Sequence, residues 1–160
     1  MDIFEFALKM EKDGAEFYRE LAQKTGSQPL QEVLGLLADE EDKHYRAIEA
    51  IVAEKHDMPQ ADILDSAKNV FQRAKEFGDP LTTETDQVGL YNQALELERK
   101  SEAFYLDRAD QVKLPRQKEL FQQFAAEEAK HIVLLENMIE FVTRPQHWLE
   151  NAEFFHPDEY

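Results

Sequence analysis

The sequence predicts an all-α protein: a four-helix bundle made of two duplicated antiparallel helical hairpins, joined by a long crossover that contains a short helix. Three observations predict it. Four long stretches place apolar residues every three or four positions, the period of a helix with one buried face. The turns within each half are short, whereas about thirty residues, 55–85, separate the halves. Finally, Glu11, Glu41 and His44 recur as Glu98, Glu128 and His131, all displaced by 87 positions (98−11, 128−41, 131−44).

The first helix is expected from Asp2 to Lys24, with Phe4, Leu8, Ala15, Tyr18 and Leu21 on its apolar face. Thr25-Gly26-Ser27 stops it. Gly26 suits a C-terminal cap, Ser27 an N-cap for the next helix, and Pro29 fits that helix's first turn. The second is expected from Gln28 to Glu54. Its seam is Leu30, Leu34, Leu37, Glu41, His44, Ile48 and Ile51, so two polar residues interrupt an apolar row. The crossover holds a short helix over Ala61 to Glu76, ended by Gly78-Asp79-Pro80. The third long helix runs from Asp86 to Gln111 along Tyr91, Leu95, Glu98, Tyr105 and Ala109. The fourth runs from Pro115 to Thr143 along Phe121, Phe124, Glu128, His131, Leu135, Met138 and Val142. Residues 1–144 thus form the bundle. Residues 145–160 form a tail whose Trp148, Leu149, Phe154 and Phe155 are expected to pack on the bundle or on a second subunit, making a homodimer the expected assembly.

The duplication extends beyond the polar residues. ALKMEKDGAEFYRELA (7–22) aligns with ALELERKSEAFYLDRA (94–109), sharing Ala7, Leu8, Glu11, Phe17, Tyr18 and Ala22 with their counterparts. ADEEDKH (38–44) aligns with AAEEAKH (125–131). Two hairpins of equal span can pack about an approximate two-fold axis, with equivalent residues facing each other.

Composition narrows the function. The 160 residues include 34 acidic and 18 basic side chains, a formal net charge of −16, which repels nucleic acid and anionic membrane surfaces. There is no cysteine, which removes thiolate chemistry, zinc–thiolate sites and iron–sulfur ligation from these residues. The start, MDIFEFALKM, has neither a basic region nor a long apolar run, and no stretch approaches a membrane span, so cytoplasmic residence is the default expectation.

A glutamate in an apolar helical seam needs an explanation. Burying an ionised carboxylate costs several kcal/mol even after relaxation. Four near one axis would repel one another or protonate. Two divalent cations balance them formally (4 × −1 against 2 × +2). Residues i and i+3 share a helix face, so each Glu-x-x-His can offer a carboxylate and an imidazole to one centre. The spacing assigns Glu41 and Glu128 as bridges, Glu11 and Glu98 as terminal ligands, and His44 and His131 as one cap per ion. One Glu from each of two helices plus Glu-x-x-His from each of the other two is the established pattern of dinuclear iron and manganese bundles, and is recognised as such. Oxygen ligands with some imidazole and no sulfur favour iron or manganese, with zinc also admissible. The plain alternative is a pair of buried Glu–His hydrogen bonds that only fix register.

Other residues carry weaker signals. Tyr18 and Tyr105 each follow their Glu by seven residues; they are core aromatics or phenols hydrogen-bonded to a ligand carboxylate of the opposing hairpin. Glu102, one turn beyond Glu98, is a candidate unsymmetric ligand. Glu40 and Glu127 lie about 100° off the seam, exposed or placed to orient an imidazole. Glu16, replaced by Ala103 in the second copy, reads as a solvated residue, as do His56 and His147. Glu153 and His156 repeat the motif without a partner Glu thirty residues earlier and are not expected to bind metal.

MEKDGAEFY with EEDKH, then LERKSEAFY with EEAKH, resemble the rubrerythrin-like branch of the ferritin-like superfamily over about residues 3–141. The resemblance implies a ferritin-like bundle and a non-haem centre of two iron ions at Glu11, Glu41, His44, Glu98, Glu128 and His131. It also implies redox chemistry with peroxide or dioxygen. Full-length relatives carry a four-cysteine rubredoxin domain, which is not found here, so an external reductase or rubredoxin-like donor is expected. They also carry a Glu where this chain has Ser101. The expected activity is reduction of hydrogen peroxide or dioxygen. Iron storage or ferroxidase action, a manganese catalase, and a structural bundle with a vestigial site are the alternatives.

Overall fold

The computed structural model describes residues 2–53, 63–77 and 87–144. Among the described residues five helices follow in order: α1 (Ile3–Lys24), α2 (Gln28–Val52), α3 (Ile63–Phe77), α4 (Val88–Arg108) and α5 (Pro115–Thr143). The fold is the all-α, ferritin-like bundle that the sequence predicts. The four long helices fall within a few residues of their expected bounds. The tail at 145–160, the Gly78-Asp79-Pro80 stop, His56, His147 and the Glu153/His156 pair lie outside the described residues.

Local chemistry explains the helix ends. Asp2 caps α1 by accepting from the Glu5 amide at 2.8 Å, and the Glu5 carboxylate in turn accepts from the Asp2 amide. Ser27 caps α2 at the Leu30 amide, with Pro29 in the first turn, as expected. The expected role of Gly26 is not realised. The α1 helix ends instead on Thr25 in an extended conformation, with ψ of 140°. Its last carbonyls are satisfied by side chains: the Gln31 amide donates to the Thr25 carbonyl at 2.8 Å, and the Gln87 amide donates to that of Lys24. A left-handed glycine cap is unnecessary where side chains supply the donors.

The hairpins are α1 with α2 and α4 with α5; they meet through α1 against α4 and α2 against α5. The crossover helix α3 lies on α2 and α5. The apolar core is in two parts. One gathers Leu21, Leu30, Leu34, Tyr91, Leu134 and Met138 with Ile63, Ala67 and Phe71 of α3. The other gathers Ala7, Ile48, Tyr105, Phe121 and Phe124. Because α1 runs from the second part to the first and α2 returns, the layer between them is crossed once by each long helix. The seam of α1 differs slightly from its expected face: Ala7 is fully buried, while Phe4 and Leu8 are only half-buried beside it.

Phe71 shows how the crossover is held. It is fully buried and meets Phe141 edge-on, with ring centroids 5.6 Å apart. Phe71→Ala is expected to destabilise the metal-free protein by about 3–5 kcal/mol in urea unfolding. A loss below about 1 kcal/mol would show that α3 does not dock on the bundle.

Candidate metal centre

The layer between the two apolar parts holds Glu11, Glu41, His44, Glu98, Glu128 and His131, none more than 4% exposed. Each helix contributes one face of the layer: Glu11 from α1, Glu41 and His44 from α2, Glu98 from α4, Glu128 and His131 from α5. Potential ligand atoms of Glu11, Glu41, His44 and Glu128 all lie within 4.8 Å of one another, and so do those of Glu41, Glu98, Glu128 and His131. The two sets share Glu41 and Glu128, the positions assigned as bridges. His44 Nδ1 sits 3.2 Å from Glu11 and 3.0 Å from Glu128, while His131 Nδ1 sits 3.3 Å from both Glu41 and Glu98. The imidazoles are 5.9 Å apart and nearly parallel, at 12°.

Two phenols lock the terminal carboxylates. Tyr18 Oη donates to Glu98 and Tyr105 Oη to Glu11, so each hairpin's tyrosine holds the other hairpin's glutamate. Burial and the neighbouring carboxylates push both phenols well above their ordinary value, so they remain donors.

Without cations, protons balance the layer. Burial would raise Glu11, but the charge and hydrogen bond of His44 and the Tyr105 hydroxyl outweigh it and leave the group lowered. Glu98 meets the same burial and is drawn down to about 2 by His131 and by hydrogen bonds that include Tyr18. Burial, followed by Glu11 and the other carboxylates, lifts Glu41 well above the ordinary range; burial and then Glu98 lift Glu128 to about 8. Burial would lower both histidines, yet the adjoining carboxylates raise them well above 6.5. Together these shifts favour two carboxylates, two carboxylic acids and two imidazoliums in the layer, a net charge of zero. Four carboxylates, two neutral imidazoles and two divalent ions also sum to zero. Two cations would displace four protons.

The unsatisfied atoms fit that exchange. Glu11 Oε2, Glu41 Oε1, Glu98 Oε2, both oxygens of Glu128 and both ring nitrogens of His131 are buried without a hydrogen-bond partner. Buried polar atoms are rarely left so, and their convergence in one layer fits a pair of oxygen- and nitrogen-ligated ions.

The duplication is not carried through to the outer residues. His44 Nε2 faces Glu127 Oε2 at 2.5 Å, and the Gln123 amide donates to the other oxygen of Glu127 at 3.1 Å. That contact puts the Nε2 proton toward Glu127 and turns Nδ1 to the cluster. His44 also stacks on Phe124, with centroids 4.1 Å apart. The twins of these residues are Glu40 and Leu37. Glu40 accepts from Lys43 at 3.3 Å instead, so His131 lacks the carboxylate that orients His44. Glu102 is half-buried and joins none of the ligand clusters, although Ser101 beside it turns inward and is buried. One position escaped the motif reading. A Cβ on Gly14 would lie 3.2 Å from Glu41 Oε2, so only glycine leaves that carboxylate unhindered. Its signal was present in the repeat, where Gly14 pairs with the small Ser101.

A bundle with this layer belongs to the ferritin-like class of helical proteins with a buried carboxylate–histidine cluster. The rubrerythrin family model matches residues 2–139, and the chain belongs to that family. Searches of curated proteins and of solved structures return no match.

Two expectations follow. Loading two divalent ions at pH 7 should release close to four protons, read by calorimetry in buffers of different ionisation enthalpy; release below one would contradict the proton-balanced layer. Stability should follow the same chemistry. The lowered Glu98 supports the metal-free fold above pH 4.5 and fails as pH falls toward 2. The raised Glu128 weakens it as pH rises from 4.5 through about 8, and the raised histidines add to that loss above 6.5. The melting temperature of the metal-free protein should thus drop between pH 5.5 and 8.5, while the metal-induced gain grows. The asymmetry gives a second test: Glu127→Gln should weaken binding of one of the two ions by about 10–100-fold, and Glu40→Gln by much less. Equal effects in competition titrations would show that the two halves are equivalent.

Proposed function

We propose that this protein is a di-iron oxidoreductase that reduces hydrogen peroxide to water, with electrons from an external donor. The observation that carries the reading is the shared pair, Glu41 and Glu128, between two four-residue ligand sets in one buried layer. A carboxylate-rich donor set with two imidazoles and no sulfur suits iron, and rubrerythrin family membership favours it over manganese or zinc. When bound, two ferrous ions supply one electron each to the peroxide.

The chain's residues do the rest. Glu41 and Glu128, common to the two ligand sets, would be offered to both ions. Tyr18 and Tyr105 hold Glu98 and Glu11 in place through their hydroxyls. The apolar parts above and below exclude bulk water and strengthen every charge interaction in the layer. These 160 residues contain no cysteine, so a rubredoxin-type iron centre that supplied the electrons would lie outside them. Among the described residues no helix is long and apolar enough to cross a membrane.

Anaerobic loading with ferrous salt should give about two ions per chain. Glu11→Ala and His131→Ala should each lose at least one. In stopped-flow mixing, hydrogen peroxide should oxidise the bound iron faster than dioxygen does and faster than it oxidises free ferrous ion. Tyr18→Phe should retain both ions but slow that oxidation several-fold. Faster oxidation by dioxygen with iron retained in bulk would make the protein a ferroxidase; oxygen evolution from peroxide without a reductant would make it a catalase.

A further inference from the structure

The crossover helix covers α2 and α5, and the opposite side, between α1 and α4, carries a cavity of about 700 Å³. Its walls are Phe6, Met10, Phe17, Leu97 and Phe104, and its inner end is formed by Tyr18, Glu41 and Glu98. Both glutamates are at least 96% buried, and each has an oxygen without a hydrogen-bond partner. The cavity reaches them because Gly14 and Ser101, twin positions of the repeat (101−14 = 87), are both small. Its rim is charged: Lys9 pairs with Asp13 at 2.9 Å and Arg108 with Asp107.

Size and lining do not match hydrogen peroxide. A water molecule takes about 30 Å³, and hydrogen peroxide is little larger. Cavities that bind organic molecules are typically about 300–1,000 Å³, apolar inside, with a few convergent polar groups. Here the convergent polar groups are the side chains of Tyr18, Glu41 and Glu98, which line the cavity. A face for another protein chain would not need a passage leading inward to two buried carboxylates that each keep one oxygen without a hydrogen-bond partner.

We propose that the α1/α4 cavity binds the apolar body of an organic hydroperoxide and directs its O–O bond to the Glu41/Glu98 edge of the metal centre. The inference rests on the function proposed above and names its substrate class. The reaction is ROOH + 2 e⁻ + 2 H⁺ → ROH + H₂O. The O–O bond breaks and both oxygens are reduced. The electrons come from two ferrous ions, one each, and are restored by an external one-electron donor; the protons come from solvent. The alcohol leaves by the same mouth.

The test uses the full chain and cumene hydroperoxide. Leu97→Trp and Ala103→Trp fill the cavity from exposed positions that belong to none of the ligand clusters. Each should slow oxidation of the ferrous centre by cumene hydroperoxide at least tenfold and change that by hydrogen peroxide less than twofold. A separate measurement needs no turnover: cumyl alcohol, titrated into the zinc-loaded protein, should shift the NMR amide signals of Phe6, Met10 and Leu97, and the tryptophan variants should abolish the shifts. Tryptophan variants that bind the alcohol like the parent, or that slow both peroxides equally, overturn the proposal and leave the peroxidase reading standing. Alcohol binding in a protein that reduces no peroxide overturns both. A dimer that dissociates on Leu97→Asp assigns the cavity to a second copy. A chain ended at Arg144 that binds the alcohol when the full chain does not assigns it to residues 145–160. Either result also overturns the proposal.

Discussion

Four carboxylates and two imidazoles confined to one water-poor layer set the terms for the rest of this protein. An isolated buried carboxylate costs several kcal/mol, and four at a few ångströms from one another cannot all ionise unaided. Their shifts run in opposite directions, favouring ionised Glu11 and Glu98 beside protonated Glu41 and Glu128 and two imidazoliums. That arrangement is neutral but poorly satisfied, because carboxyl oxygens and ring nitrogens remain without partners. A layer held by protons alone is therefore poised to exchange them for cations.

The two apolar parts of the core serve that layer. Leucines, tyrosines and phenylalanines on either side fix the register of all four long helices, so that their buried polar residues arrive at the same height. The crossed tyrosine bonds tie α1 to α4 where few other contacts join them. The same sparse packing leaves the α1/α4 side open and gives the layer a route to solvent. The closed side is the one that carries α3.

Much of this was legible in the chain. The 87-residue displacement identified all six residues of the layer, and the seam positions of α2 and α5 placed them inside. The tyrosines at seven-residue spacing were already candidates for bonds to the opposing hairpin, and the structure forms those bonds. Glu102 read ambiguously because a helix position one step off the seam can turn in or out; packing turned Ser101 in and left Glu102 at the margin. Gly26 read as a cap because glycine often is one, but Gln31 and Gln87, six and 62 positions from Thr25, supplied the donors instead.

By itself the sequence determined the helices, their pairing and the identity of the polar layer, since these follow from periodicity and from a repeat that fixes equivalent positions. Only the tertiary structure decided how unlike the two halves are. Glu127 reaches His44 while its twin Glu40 is held by Lys43, and Phe124 stacks where the other half has Leu37. It also decided that the α1/α4 side opens into a cavity. Neither outcome is written in a helical period, because both depend on which side chains from different helices reach the same point in space.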